Sequence, residues 1–243
     1  MLDLENAVPP QAKHQARAMV VDALADHPAW VRINAGGTGL AAVDLDAVAG
    51  TAVGIRIPKV ESPQDVHRVR DRAPATPLMC AIETALGLVA APEIAQAEGV
   101  RHLSLEGVDL RRDLGASDGN LQTLYPRSHL VVISRAAGLD PPIDSVYARL
   151  DDESGLRAQA EFARSLGFFG KSAIRPRQLA VLHDVSRRPP TSWTGRTACS
   201  DGFDSTGGEA VKLPDGEFVD VPVADRARRL LELAARLPVA AEA

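Results

Sequence analysis

Through the first three quarters of the chain, short apolar runs that stop at polar residues or glycine alternate with amphipathic stretches. The runs Met1–Leu4, Trp30–Asn34, Val53–Ile57, Leu78–Ile82, His102–Leu105, Pro142–Val146 and Gly170–Ile174 predict seven strands. The stretches Gln11–Ala25, Leu40–Ala49, Ser62–Asp71, Pro92–Ala97, Tyr125–Ala137 and Glu153–Ser165 predict helices between them. Ser62 and Pro63 give an N-cap followed by a helix-opening proline, and Gly167 stands just past a helix end. This alternation implies an α/β fold of parallel strands joined by right-handed crossovers. A closed (β/α)8 barrel needs eight strands, so either one is missing or the sheet is open.

The last quarter breaks the pattern. Residues 186–208 are rich in Pro, Gly, Ser and Thr without a helical or strand period, and the segment 186–209 reads as an irregular linker. Beyond it, Pro214-Asp215-Gly216 marks a turn between strand-like flanks within Ala210–Val221, and Val223–Leu237 carries Leu230, Leu231, Leu233 and Leu237 at helical spacing. The expected organisation is an incomplete barrel over 1–185, the linker, and a hairpin–helix arm over 210–243 that packs on a barrel of a neighbouring subunit.

Composition narrows the setting. Aromatics make up 4% of the 243 residues, so the core must come from Val, Ile, Leu and Ala, as buried parallel strands require. A net charge of −5 speaks against a broad nucleic-acid surface. Cys80 and Cys199 form no metal-ligand spacing and no disulfide framework, and no apolar stretch is long enough to span a bilayer. Met1 leads into a strand-like run without a basic leader, so a cytoplasmic location is expected.

In parallel α/β folds ligands gather where the strands end. The polar residues at those ends are Glu5, Arg32, Lys59, Glu61, Glu83, Asp109 and Asp144. Carboxylates without Cys or His suit Mg²⁺ or Mn²⁺ and argue against zinc. Glu83 and Asp109 follow consecutive predicted strands and can converge on one cation, or they can simply cap helices. Arg32 can hold a substrate carboxylate or an enolate oxygen, or pair with Glu5 or Glu83.

The strings LDLENAVPP, VRINAGGT, PKVES, AIETALGLVAAPEIA, GVDLRRDLGA, SRAAGLDPPIDSVY and LGFFGKSAIRPRQL resemble, in order and spacing, the citrate lyase β-subunit branch of the HpcH/HpaI aldolase superfamily. The resemblance implies a (β/α)8 barrel and cleavage of a CoA thioester to an acyl-CoA and a 2-oxo acid. It implies Mg²⁺ on Glu83 and Asp109, and substrate contacts from Arg32, Gly107, Val108 and Asp109, with Glu5 and Lys59 supporting them. It also implies a catalytic Asp220, in VDVPV, reaching another subunit of a trimer or hexamer; the alternative is a surface Asp at a hairpin end. Lys59 and Glu61 are expected to brace the barrel rim by an ion pair.

The chain departs from the family pattern at several points. Asn6 replaces an Asp, Arg175 a His, and Glu106 a residue that is usually Gly. The FVPG-like first strand and the first helix have no counterpart, so the seven strands should leave two uncovered edges that invite oligomerisation. A metal-dependent aldolase acting on free oxo acids, or a non-catalytic lyase subunit, stays open beside the CoA-ester lyase.

Overall fold

The computed structural model describes residues 1–187, 193–214, 216 and 218–235. They divide into two compact units, Met1–Ser186 and a second from Arg187 onward. The first unit holds strands β1 (Leu2–Asp3), β2 (Trp30–Arg32), β3 (Gly54–Ile57), β4 (Leu78–Ile82), β5 (Val100–Leu105), β6 (Ile143–Asp144) and β7 (Gly170–Lys171). Its helices are α1 (Lys13–Asp26), α2 (Gly39–Val48), α3 (Pro63–Arg72), α4 (Ala85–Val89), α5 (Ala91–Ala95), α6 (Gly107–Leu114), α7 (Leu124–Ala136), α8 (Glu153–Leu166) and α9 (Arg177–Arg187).

Each strand pairs in parallel with the next, giving one seven-stranded sheet in the order β1 to β7, with β1 and β7 as its edges. This is the curled wall of an α/β barrel. The helix signals act as expected: Ser62 and Asp65 close a capping box at the start of α3, and Gly167 ends α8 in the left-handed region. Three helices of this unit escaped the sequence pattern. Helices α4 and α6 are too short to show a period, and α9 follows the last strand in a stretch for which no element was expected.

Alternation divides the sheet into two faces. Val31, Ile55, Ile57, Leu78, Cys80, Ile82, Leu103 and Leu105 are buried in one large apolar cluster with residues of the helices. The in-register residues Asp3, Arg32 and Arg56 lie on the other face and carry charge. Below them the Trp30 ring stands edge-on to His102, with centroids 5.9 Å apart. Gly54 makes room for it: a Cβ there would meet the indole at 2.5 Å.

The second unit has its own small core of Cys199, Phe203, Leu213, Val219, Ala224 and Ala227. Trp193–Ser205 is a helix, α10, where the composition predicts an irregular linker. Its small residues explain both the misreading and the fold. Gly202 lies so close to the hairpin that a Cβ would meet Leu213 at 2.8 Å, while Cys199 and Phe203, one turn apart, are buried. The hairpin forms from β8 (Val211–Lys212) and β9 (Phe218–Val219), and α11 (Val221–Ala235) follows. Residues 188–192, Asp215, Glu217 and 236–243, and the side chains of Leu230 and Leu233, lie outside the described residues. Among those described, no helix is long and apolar enough to cross a membrane.

Candidate active site

The first unit builds its charged face around β1. Strand β1 continues into Glu5, whose backbone is tied down by Lys13 of α1: its Nζ donates to the carbonyls of Leu4 and Glu5, both at 2.6 Å. Arg32, at the end of β2, donates a fork to Asp3, Nε to Oδ1 at 2.7 Å and Nη2 to Oδ2 at 2.6 Å. Its Nη1 stands 3.3 Å from Glu5. The carboxylates of Asp3 and Glu5 hold the guanidinium charged; Asp3's hydrogen bond is the main cause, outweighing burial. Of the two partners anticipated for Arg32, Glu5 makes contact and Glu83 acts through its field, while the bidentate partner is Asp3.

Glu5 also accepts from Lys59 Nζ at 2.5 Å. The expected rim ion pair therefore exists for Lys59, whereas Glu61 instead accepts the Thr84 hydroxyl at 2.8 Å. Lys59 has a left-handed backbone, φ 53°, and donates its N–H to Glu83 Oε1 at 2.5 Å. Gly87 lets the first turn of α4 approach this loop, since a Cβ there would lie 2.5 Å from the Val60 carbonyl.

Glu83 follows β4, and Asp109 stands in the first turn of α6, just after β5. Both line one cleft of about 440 Å³, together with Lys59, Glu61, Thr84, Arg112 and Asp113. Burial lifts the Glu83 carboxyl above its usual range, and the charges of Asp109 and Glu5 add to the lift, while Lys59 opposes it. Mutual repulsion of this kind is what a cation relieves. Among the described residues no three His, Cys, Asp or Glu form a cage. Two carboxylates with the remaining positions left to water and substrate fit Mg²⁺, which keeps part of its hydration shell. Arg32 and Glu5 do not line this cleft; they reach it through Lys59.

Helix α6 starts with Gly107, whose N–H donates to Ser145 Oγ at 2.8 Å. The amides of Val108 and Asp109 follow at the positive end of the helix, where an anion is favoured. Asp109 Oδ1 lies 3.0 Å from exposed Arg112.

Two further candidates have structural partners of their own. Asp144 is fully buried and pairs with Arg127 of α7 at 2.9 Å and with Lys171 at 2.7 Å, so it braces α7 on the sheet rather than lining the cleft. Asp220 lies in the second unit and caps α11, its Oδ1 accepting from Val223 N at 3.2 Å. Asn6 and Arg175 are exposed. Several supporting residues were not anticipated. Asp44 of α2 is buried and takes Asn34 Nδ2 at 2.6 Å and Arg17 Nε at 2.8 Å, fixing the loop after β2. Asp3 and Arg56 were also missed. The period-2 spacing of Asp3 and Glu5, and a lone Arg inside GIRI, were the available signals.

Comparisons with known proteins agree with this architecture. Residues 1–176 match the HpcH/HpaI aldolase/citrate lyase family. The citrate lyase subunit beta of Haemophilus influenzae is 33% identical, covering 96% of this chain and 88% of its own. The human mitochondrial citramalyl-CoA lyase is 29% identical over 96% of this chain and 78% of its own. The structure of CitE from Mycobacterium tuberculosis, in complex with magnesium, acetoacetate and coenzyme A, superposes with a TM-score of 0.77 at 30% identity, covering 96% of this chain and 88% of that one. The chain belongs to the HpcH/HpaI aldolase/citrate lyase family, in its citrate lyase β-subunit-like branch of CoA-ester lyases.

Proposed function

We propose that the protein is a Mg²⁺-dependent carbon–carbon lyase. Its substrate would be a 3-hydroxyacyl-CoA of the citryl-, malyl- or citramalyl-CoA type, split into an acyl-CoA such as acetyl-CoA and a 2-oxo acid such as oxaloacetate. The observation that carries this reading is the presence of Glu83 and Asp109 on one cleft beside Lys59. The relative crystallised with magnesium, acetoacetate and coenzyme A supports it. The same reading takes a cytoplasmic location for the protein.

Glu83 and Asp109 would hold the metal, with Mn²⁺ as an alternative to Mg²⁺. When bound, the ion supplies Lewis-acid polarisation of the substrate's hydroxyl and carboxylate oxygens. The amides of Val108 and Asp109 receive the substrate carboxylate, with Gly107 anchored by Ser145. In cleavage the hydroxyl proton would pass to a water of the cleft, the oxygen pair would form the carbonyl of the 2-oxo acid, and the carbon–carbon bonding pair would stay on the acyl-CoA carbon as an enolate. Arg32, held by Asp3 behind the lining of the cleft, would offset that charge through its field rather than by contact. Glu5 and Lys59 keep Arg32 and Glu83 in place. Asp220, delivered by the arm of a neighbouring subunit in a trimer or hexamer, protonates the enolate carbon.

The test is cleavage of citryl-, malyl- and citramalyl-CoA, and of the free hydroxy acids, with and without Mg²⁺. Mg²⁺-dependent release of an acyl-CoA, lost in Glu83→Gln, is the expected result. Cleavage of free acids alone would make the protein an aldolase, and no turnover with intact Mg²⁺ binding would make it a binding subunit.

A further inference from the structure

Arg56 is a charged residue inside a strand whose four residues are all buried. Its side chain is 4% exposed, and Nη2 forms an ion pair with Glu106. Among the described residues Nη1 meets the Met1 sulfur, at 3.7 Å, and Nε finds no acceptor. Burial, with Arg32 nearby, brings the guanidinium down to about 10, against the opposing pull of the Glu83, Asp3 and Glu5 charges. Arg56 is on β3 and Glu106 follows β5, so the pair reaches across β4, the strand that leads into Glu83.

Glu106 occupies the N-cap position of α6. Its backbone is fixed there, its N–H donating to Ile82 and its carbonyl accepting from Leu110. An Asp carboxylate at an N-cap ordinarily accepts from the first-turn amides, and a Glu carboxylate there is drawn to the same positive helix end. Glu106 makes no such bond; its carboxylate is paired with Arg56 instead. The amides left uncapped by that arrangement are those assigned above to the substrate carboxylate.

We infer that Arg56 is a positioning residue that holds Glu106 away from the α6 N-terminus, keeping that terminus open to the carboxylate of the 2-oxo acid. Without Arg56 the Glu106 carboxylate, already at the N-cap, turns onto the Val108 and Asp109 amides and competes with the substrate as a tethered anion. The inference rests on the proposed function, since it needs an oxo-acid carboxylate at α6.

The experiment measures pyruvate and oxaloacetate binding to the Mg²⁺-loaded protein, Mg²⁺ affinity by itself, and KM and kcat on the cleaved thioester. Arg56→Met should weaken oxo-acid binding and raise KM about tenfold, the scale of one displaced charge-assisted contact. Mg²⁺ affinity should stay within about threefold, because Arg56 touches neither metal carboxylate. The double variant Arg56→Met/Glu106→Gln should recover oxo-acid affinity to within about threefold of wild type, the competing charge being gone. Should Arg56→Met fail to fold, Arg56→Lys takes its place, with a partial loss that Glu106→Gln again restores. Unchanged binding in folded Arg56→Met, or a double variant as weak as the single, overturns the inference while the proposed function stands. Wild-type protein that binds Mg²⁺ but no oxo acid overturns both.

Discussion

Lys59 donates its backbone N–H to Glu83 Oε1 from a left-handed conformation that only this non-glycine residue adopts among those described. That turn aims the amide across to the end of β4 and leaves the second carboxylate oxygen of Glu83 for another partner. Left-handed backbone costs a residue with a Cβ about 1–2 kcal/mol. The same residue's amine reaches Glu5, so one position ties β1, β3 and β4 together at their C-terminal ends.

Substitutions at Lys59 separate the amide from the amine. Lys59→Gly keeps the N–H, relieves the backbone and loses a half-exposed ion pair worth about 0–1 kcal/mol. Thermal stability should therefore stay level or rise slightly, and Mg²⁺ affinity should be retained. Lys59→Pro cannot reach positive φ and has no N–H to give Glu83. Mg²⁺ titration of this variant should show affinity reduced about tenfold or more, the effect expected of losing a residue that orients a metal ligand.

Asp3 gives the acid dependence of the site. Burial alone would push its carboxyl up, but the Arg32 fork and the N–H groups of Glu5 and Ala7 hold it below the usual carboxylate range. A carboxyl with a lower pKa folded than unfolded binds fewer protons in the native state. Its contribution is present above the ordinary carboxylate range and is lost as pH falls through that range to the folded value. Asp3→Asn should accordingly be less stable than wild type at pH 7. The gap should close on acidification below about pH 4, where the unfolded carboxyl titrates. Denaturant unfolding of both proteins across pH reads this directly.

Gly54→Ala tests the packing beneath the charged layer. The added Cβ would meet the Trp30 ring at 2.5 Å, and that ring is confined between β3 and His102. Overpacking of this sort costs about 1–3 kcal/mol. A lowered melting temperature with Mg²⁺ affinity maintained is the expected outcome, whereas an unchanged melting temperature would mean that the indole has room to move.

The sequence was informative where the physical signal is local. Short apolar runs located all seven strands, and the Ser62 cap and Gly167 stop marked real helix ends. Glu83 and Asp109 could be placed on one cleft because each follows a strand directly. Pairings between distant strands have no local signature. Asp144 ends a strand as the candidates do, yet its partners Arg127 and Lys171 occupy it on the way to α7. Arg56 looks out of place in a buried strand until Glu106, fifty residues on, supplies its counter-charge. The helix Trp193–Ser205 was hidden because its Gly and Ser residues serve close packing, which composition alone reads as disorder.

The arm carries the last prediction. Asp220 caps α11, a role that Asn performs equally well, so Asp220→Asn should leave the second unit folded. If its carboxyl also protonates the enolate in a neighbouring subunit, the same variant should lose turnover by about a hundredfold or more while binding Mg²⁺ as wild type does, since the metal carboxylates are untouched. Glu83→Ala has the opposite lesion: an intact arm on a chain without its metal site. Mixed oligomers of the two variants would then contain sites in which an intact Glu83 meets an intact Asp220, and part of the activity should return on subunit exchange. Mixtures shown to exchange subunits that recover nothing would confine Asp220 to capping α11, or to its own barrel. Activity kept by Asp220→Asn alone would leave the enolate's proton to another group.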